Sequence, residues 1–365
     1  MKMKQLTMAV AAASVVVSGA AVAGGHGDAV SSALSSAKVS GEVYGAYRSQ
    51  TTDVGATSTD VSDFDLEEAR LGITANLDDD TELGVEMGWD TGDGFGGNSG
   101  TLLRDLYVAK SYGNAVVTAG RFKQVADRDN NVEKSDALFT LPGEVSLSSL
   151  GAMRRIDGVE VKSTFEGGLH GSLALYKGGN DFTGGDIERE FGYAGSFGWQ
   201  GGNDDASFGA TVSLFDEAGT DPGGNDTDGF AVSTFLATGP ITGTLSYGDN
   251  ESEPVGGGTK TESDGLLLQA ALDLGGAARG FDSYGVYQGP NLSEGDMGYE
   301  VALEFNDGES ETGAAKSESD GFKIGLNMYC GQFSKWFIHY FDQETEVGAV
   351  TTEVDGFALG GRLDF

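Results

Sequence analysis

The sequence predicts an all-β protein, a transmembrane antiparallel β-barrel of about 16 strands with one long loop folded into its bore. Three observations carry this. Apolar and polar side chains alternate with period two: Leu83, Val85, Met87 and Trp89 are interleaved with Glu82, Gly84, Glu86, Gly88 and Asp90, and Tyr299, Val301, Leu303 and Phe305 with Glu300, Ala302 and Glu304. Successive side chains on a strand point to opposite faces, so each segment has one apolar and one polar face. The segments run roughly 9–12 residues, enough to cross a bilayer when tilted. Connections between them are alternately short and long. A soluble sandwich would also alternate. Charge on one face, bulky apolar side chains on the other and aromatics at segment ends favour the membrane barrel.

At the N-terminus, Lys2 and Lys4 precede the uncharged apolar run Leu6 to Ser18 and the small-x-small site Ala21-Val22-Ala23. These features predict a secretory signal peptide over 1–23. A short extension, 24–37, then leads to the barrel, 38–365. The expected strands are 38–48, 64–76, 81–91, 102–112, 115–123, 153–163, 169–178, 189–200, 206–216, 228–238, 241–250, 264–274, 297–305, 320–329, 332–343 and 354–365. Short turns include 78–80, 113–114, 166–168, 239–240 and 330–331. Long loops are expected at 49–63, 92–101, 124–152, 179–188, 217–227, 251–263, 306–319 and 344–353.

An internal similarity sets the direction of travel. Asp226-Thr-Asp-Gly-Phe230, Glu262-Ser-Asp-Gly-Leu266, Glu318-Ser-Asp-Gly-Phe322 and Glu353-Val-Asp-Gly-Phe357 each follow a long loop and open a strand returning from the outer rim. An odd number of strands must then lie between Leu266 and Phe322. Of the candidates 280–288 and 297–305, the second is taken as a strand, and 275–296 as an enlarged inner-rim turn.

The stretch Gln124 to Ala152 organises the rest. It holds 29 residues between two basic strands, far more than an ordinary connection needs. Over 104–162, nine basic residues stand against eight acidic, a net of +1. The whole chain has 22 Lys+Arg against 57 Asp+Glu, or −35, and −37 once Lys2 and Lys4 are removed. The remainder of the mature chain therefore carries −38, and this window alone escapes the acidity. The acidic remainder favours cations through long-range potential, or solvates outer loops in a saline habitat.

With the barrel in place, the first half resembles the Gram-negative trimeric outer-membrane porins. Leu66-Glu-Glu-Ala-Arg-Leu-Gly72, Arg104-Asp-Leu-Tyr-Val-Ala-Lys110 and Gly113-Asn-Ala-Val-Val-Thr-Ala-Gly-Arg-Phe-Lys123 before a long loop carry the likeness, which covers roughly 38–160. The wording is similar to the phosphate- and polyphosphate-selective branch first, general porins next. The resemblance implies a homotrimer and a third outer loop, 124–152, acting as the constriction. It also implies contact with outer-membrane lipid and lipopolysaccharide. A terminal amphipathic strand ending in Phe365 resembles the outer-membrane assembly signature. The sparseness of lysine and arginine outside 104–162 departs from the arginine ladder and lysine cluster of the phosphate-selective branch.

Placing the bulky apolar set against lipid assigns the faces. Val116 and Phe122 are expected outward, hence Arg121 and Lys123 inward. By the same rule Arg48, Glu42 and Tyr44, Glu68 and Arg70, and Arg154, Glu160 and Lys162 face the bore. Arg155, Arg104 and Lys110 stay unassigned. The loop supplies Asp127, Arg128, Asp129, Glu133, Lys134, Asp136 and Glu144. Bases on a wall facing acids on a loop set a transverse field that orients small hydrophilic or ionic solutes and biases ion choice. Alternatively, these charges pair with one another and hold the loop in place.

Other classes find little support. The three histidines, His26, His170 and His339, have no evident nucleophile partner, and nothing implies catalysis, a cofactor or nucleic acid. Acid and amide clusters at Asp221–Asp228 and Asp90–Asn98 do not fit a standard calcium loop. Cys330 is the sole cysteine and cannot make an internal disulfide. A structural or adhesive barrel without transport is the remaining alternative; the long loop after the fifth strand argues against it.

Overall fold

The computed structural model describes residues 37–90, 100–124, 139, 155–177, 191–203, 206–217, 225–254 and 257–365 except 278, 285, 291, 294, 332 and 333. The expected signal peptide and almost all of the extension 24–37 lie outside the described residues. The strands are β1 (Lys38–Val54), β2 (Thr57–Asp78), β3 (Thr81–Asp90), β4 (Gly100–Tyr112), β5 (Ala115–Lys123), β6 (Arg155–Thr164), β7 (Leu169–Lys177), β8 (Phe191–Asn203), β9 (Ala206–Glu217), β10 (Asn225–Thr238), β11 (Ile241–Pro254), β12 (Thr261–Gly275), β13 (Gly280–Phe281), β14 (Tyr287–Gln288), β15 (Met297–Thr312), β16 (Ala315–Cys330), β17 (Ser334–Val347) and β18 (Val350–Asp364). Sixteen of them close an antiparallel barrel in the cyclic order β1-β18-β17-β16-β15-β12-β11-β10-β9-β8-β7-β6-β5-β4-β3-β2. β13 and β14 form a separate small sheet. All sixteen expected strands are present. β12 pairs directly with β15, so 280–288 is not a barrel strand and 275–296 is the inner-rim turn the sequence predicts.

Closure depends on β1 and β18, which pair from Glu42↔Asp364 to Val54↔Thr352. The ladder is finished by Gly41 and Phe365, whose backbones exchange hydrogen bonds of 2.8 and 3.0 Å. The ring of Phe365 lies where a Gly41 side chain would be, so a larger residue there would push the ring aside. The outward face is apolar, with Val43, Leu173, Leu175, Phe197, Leu303, Ile338 and Leu359 exposed. The inward face alternates with it and is small or polar, for instance Ala46, Ala174, Ser246, Ala302 and Ala358, all buried. Tyr47–Phe357, Phe230–Tyr247 and Phe322–Tyr340 pair at 5.9–6.1 Å around the outer end of the lipid belt. Trp199 and Phe208 mark the inner end at 5.4 Å.

Several expected long loops are not loops. Strand pairing continues through most of 49–63, 306–319 and 344–353, leaving only Gly55-Ala56, Gly313-Ala314 and Gly348-Ala349 as turns. β11 and β12 likewise extend through much of 251–263. These extensions stand above the lipid belt, where both faces meet water. Polar residues suit both faces there, so the alternation that marks a strand in the sequence fades while the hydrogen-bond ladder continues.

The extensions place like charges side by side. Asp53, Glu353, Glu344, Asp320 and Asp307 are successive partners across β1, β18, β17, β16 and β15. Asp264 lies opposite Asp249, and Asp228 opposite Asp216. Carboxylates opposite one another repel. Two lysines counter this near the tips: Lys260 bridges Glu251 and Glu262, and Lys316 bridges Glu309 and Glu318 at 2.8 and 2.7 Å. Partial desolvation and then the neighbouring carboxylates hold Asp228, Asp264 and Glu344 above the ordinary carboxylate range. A raised folded pKa means the folded rim takes up protons before the unfolded chain does, so its stability rises as pH falls through that range and is lower where the groups are ionised. The β15–β16 hairpin should therefore resist tryptic cleavage at Lys316 better near pH ~5 than at pH ~8. The difference should shrink at about 1 M salt, where the Debye length is about 3 Å. Cleavage rates normalised to an unstructured peptide measure this; rates indifferent to pH and salt would refute it.

Candidate pore constriction

Directly after β5, Gln124 is fully buried. Phe139 packs on Ala271 of β12 and Ala302 of β15. Its ring lies 4.8 Å from that of His339 on β17, with Lys323 Nζ of β16 at 5.7 Å from its centroid. β16 is seven strands from β5 in one direction around the barrel and nine in the other. The segment that leaves β5 thus reaches the far wall. The loop's charged residues Asp127, Arg128, Asp129, Glu133, Lys134, Asp136 and Glu144, and Arg154 beside it, lie outside the described residues.

The near wall carries a continuous ionic ribbon. Arg362 of β18 pairs with Asp364 and Glu42, both at 2.7 Å. Glu42 of β1 meets Arg70 of β2 at 3.2 Å. Arg70 reaches Glu86 of β3 at 3.9 Å, which also accepts Arg104 of β4 and Arg155 of β6, each at 3.3 Å. Arg155 closes the series on Asp105 at 2.6 Å. Four guanidiniums are matched by four carboxylates, so the ribbon is locally neutral. Arg70, Glu42 and Arg362 are almost wholly buried, and losing one partner of such a pair is expensive because the other charge stays buried.

Most expected faces hold. Glu42, Tyr44, Arg70 and Glu160 face inward and are buried, and Arg48 shares the register face of Glu42 and Tyr44. The side chain of Glu68 lies outside the described residues. Lys123 and Lys162 line a recess of ≈ 450 Å³ beside β2–β6, shared with Asp79, Asp80, Glu82, Asp105 and Glu160. Glu82 accepts the Tyr107 hydroxyl there at 2.8 Å. Arg104 is turned inward by a register shift between Glu86 and Met87. Lys110 goes to the inner rim, against Asp78 at 3.7 Å and Thr81 at 3.1 Å.

Arg121 is the correction. It faces outward, opposite exposed Leu106 on β4 and Asp157 on β6. It binds the Asp157 carboxylate through Nε and Nη2 at 2.8 and 2.7 Å, and Nη1 donates to the Leu103 carbonyl at 3.3 Å. Phe122 points inward, into a cluster with Ile156, Tyr176 and Phe215. The rule that apolar side chains face lipid fails here because this part of the bore contains its own aromatic core.

Several inward bases were missed because they lie far from 104–162 in sequence: Arg279, Lys323, Lys335 and Arg362. The last alternates with Leu359 and Leu363 in the terminal strand, a signal already present. His170 is buried against Thr211 at 3.2 Å, and His339 against Asn327 at 2.9 Å.

Glu86→Gln should leave the ribbon with excess positive charge, destabilise the barrel by about 1–3 kcal/mol, and shift the reversal potential in a KCl gradient toward chloride. Arg121→Gln should leave that potential unchanged. A shift with the second variant and none with the first would reverse the face assignment.

No protein-family model matches the sequence, and no curated protein matches it. Solved structures do match in fold. The anion-selective porin from Comamonas acidovorans aligns with TM-score 0.59 at 14% identity, over 90% of this chain and 99% of its own. OmpF of Salmonella typhi, solved with daunomycin, aligns with TM-score 0.59 at 14% identity, over 90% and 97%. The trimer form of OmpT, an outer membrane protein of Vibrio cholerae, aligns with TM-score 0.53 at 10% identity, over 90% and 99%. The chain therefore has the closed sixteen-stranded fold of the outer-membrane porins.

Proposed function

We propose that this chain is an outer-membrane porin, a water-filled passive channel for small hydrophilic and ionic solutes, exported by its signal peptide and assembled as a homotrimer. The observation that carries this is Phe139 on the wall opposite β5, inside a barrel of sixteen strands. Barrels of about 8 strands are filled by side chains, whereas about 16 leave an aqueous bore that a loop must narrow if it is to select. The segment 124–152 is that loop.

The trimer is supported by Arg121. An ion pair on the outward face between Leu103 and Leu106 is ill suited to lipid and well suited to cover by another subunit. One of the similar structures is itself a trimer form. The rest of the outward face contacts outer-membrane lipid, with lipopolysaccharide at the outer girdle.

Cation preference is the sign the charges favour. The arginines of the ribbon are each matched by carboxylates, and the recess sets two lysines against four further acids, Asp79, Asp80, Glu82 and Glu160. The outer rim adds carboxylates that face one another across the strands, which draw cations at low salt and less so at high salt. A phosphate- or anion-preferring channel would instead need uncompensated bases in the constriction.

Planar-bilayer recording tests both parts. Stepwise conductance is expected, with a reversal potential on the cation side in a KCl gradient and no block by added phosphate. Absence of conductance steps from folded protein would remove the channel function. A reversal potential on the anion side, or block by phosphate, would return the selectivity to the basic neck.

A further inference from the structure

The inner-rim turn between β12 and β15 runs from 276 to 296, whereas Gly113-Asn114 and Gly239-Pro240 close other inner-rim hairpins with two residues each. This turn does not stay at the rim. β13 and β14 make it a hairpin whose tip is fixed by Asp282. The Asp282 backbone N donates to the Val286 carbonyl at 2.9 Å, and its Oδ1 accepts from the backbone N of Tyr284 and of Val286 at 2.8 and 2.9 Å. At the root, Arg279 grips Glu300 of β15 through Nε and Nη2 at 2.6 and 2.8 Å. Asn327 and Tyr329 of β16 donate to the same carboxylate at 2.7 and 2.6 Å. The Arg279 and Glu300 side chains are 1% and 0% exposed.

From that root the hairpin crosses the bore. Phe281 lies 4.6 Å, ring to ring, from Phe235 of β10. Tyr284 reaches His170 of β7 at 5.9 Å and sits 5.5 Å from Lys162 Nζ of β6. The wall from β15 round to β6 comprises eight strands, half of the barrel. Phe281 also packs against the cluster that holds Phe139, so the hairpin meets the outer loop inside the bore. A turn that only joined two strands would have no reason to bury an ion pair in the wall and carry aromatic rings to the opposite side.

We propose that 276–296 is a second constriction element, entering from the inner rim, which obstructs the β7–β15 side and confines permeation to the β2–β6 side. This rests on the channel function proposed above. The element is fixed, not a lid, because releasing Arg279 from Glu300 would strand a buried charge.

Two measurements test it, on the full chain with Cys330→Ser as background. Phe281→Gly with Tyr284→Gly keeps the Arg279 root and removes the rings that cross the bore; folding is checked by the heat-dependent gel shift. Since the hairpin crosses half the wall, single-channel conductance should rise roughly two-fold. Conductance within a tenth of the parent from folded protein would overturn the proposal. Independently, His170→Cys with Tyr284→Cys should be joined in native membranes by a short bifunctional thiol reagent. Conductance, where present, should not change on joining. No cross-link in folded protein would remove the hairpin from the bore. Conductance that changes on cross-linking would make it a moving lid, also against the proposal. A parent that cross-links but never conducts would defeat the channel function alone.

Discussion

Everything in this molecule depends on closing a hydrogen-bond ladder in a solvent that offers no hydrogen bonds. Within lipid an unpaired strand edge costs several kcal/mol per polar group. β1 and β18 abolish the edge by pairing along their length, with Gly41 and Phe365 completing the last rung. Closure at sixteen strands brings a second consequence: the bore is wider than wall side chains can fill. Narrowing it then requires chain from elsewhere. One segment comes from the outer rim after β5 and carries Phe139. Another comes from the inner rim after β12 and carries Phe281 and Tyr284. They meet in one small apolar cluster, each pressed against a wall remote from its origin.

Charge is divided between inside and outside in the same manner. Inside, guanidiniums and carboxylates alternate from Asp364 through Glu42 and Glu86 to Asp105. Such a ribbon stiffens the wall and is locally neutral. Above the lipid belt, carboxylates face carboxylates from Asp53 to Asp307, relieved near the tips by Lys260 and Lys316. The local pairs therefore govern rigidity, and the acidic rim governs the long-range potential. That separation is why Glu86 and the rim acids respond to different variables, one to substitution and the other to salt and pH.

Much of this was legible in the chain. Period two is a local property, so all sixteen barrel strands follow from it, as does the exclusion of 280–288 by counting strands between Leu266 and Phe322. Gln124–Ala152 was identified by length and by its relief from the surrounding acidity. On β1, β2 and β6, bulky residues such as Val43 and Val159 assign the lipid face correctly because the bore beside them is polar.

The chain by itself thus determined the strands and their direction, since each is encoded within a dozen neighbouring residues. The tertiary structure alone decided the rest. Extensions such as 306–319 are strands whose alternation vanishes because water covers both faces. Phe122 turns inward, and Arg121 outward, because an apolar core formed by Ile156, Tyr176 and Phe215 occupies that part of the bore. Arg362 joins Glu42, and Arg279 joins Glu300, only through cross-strand register and the path of the inner turn. Those are contacts between distant parts of the sequence, and no local period records them.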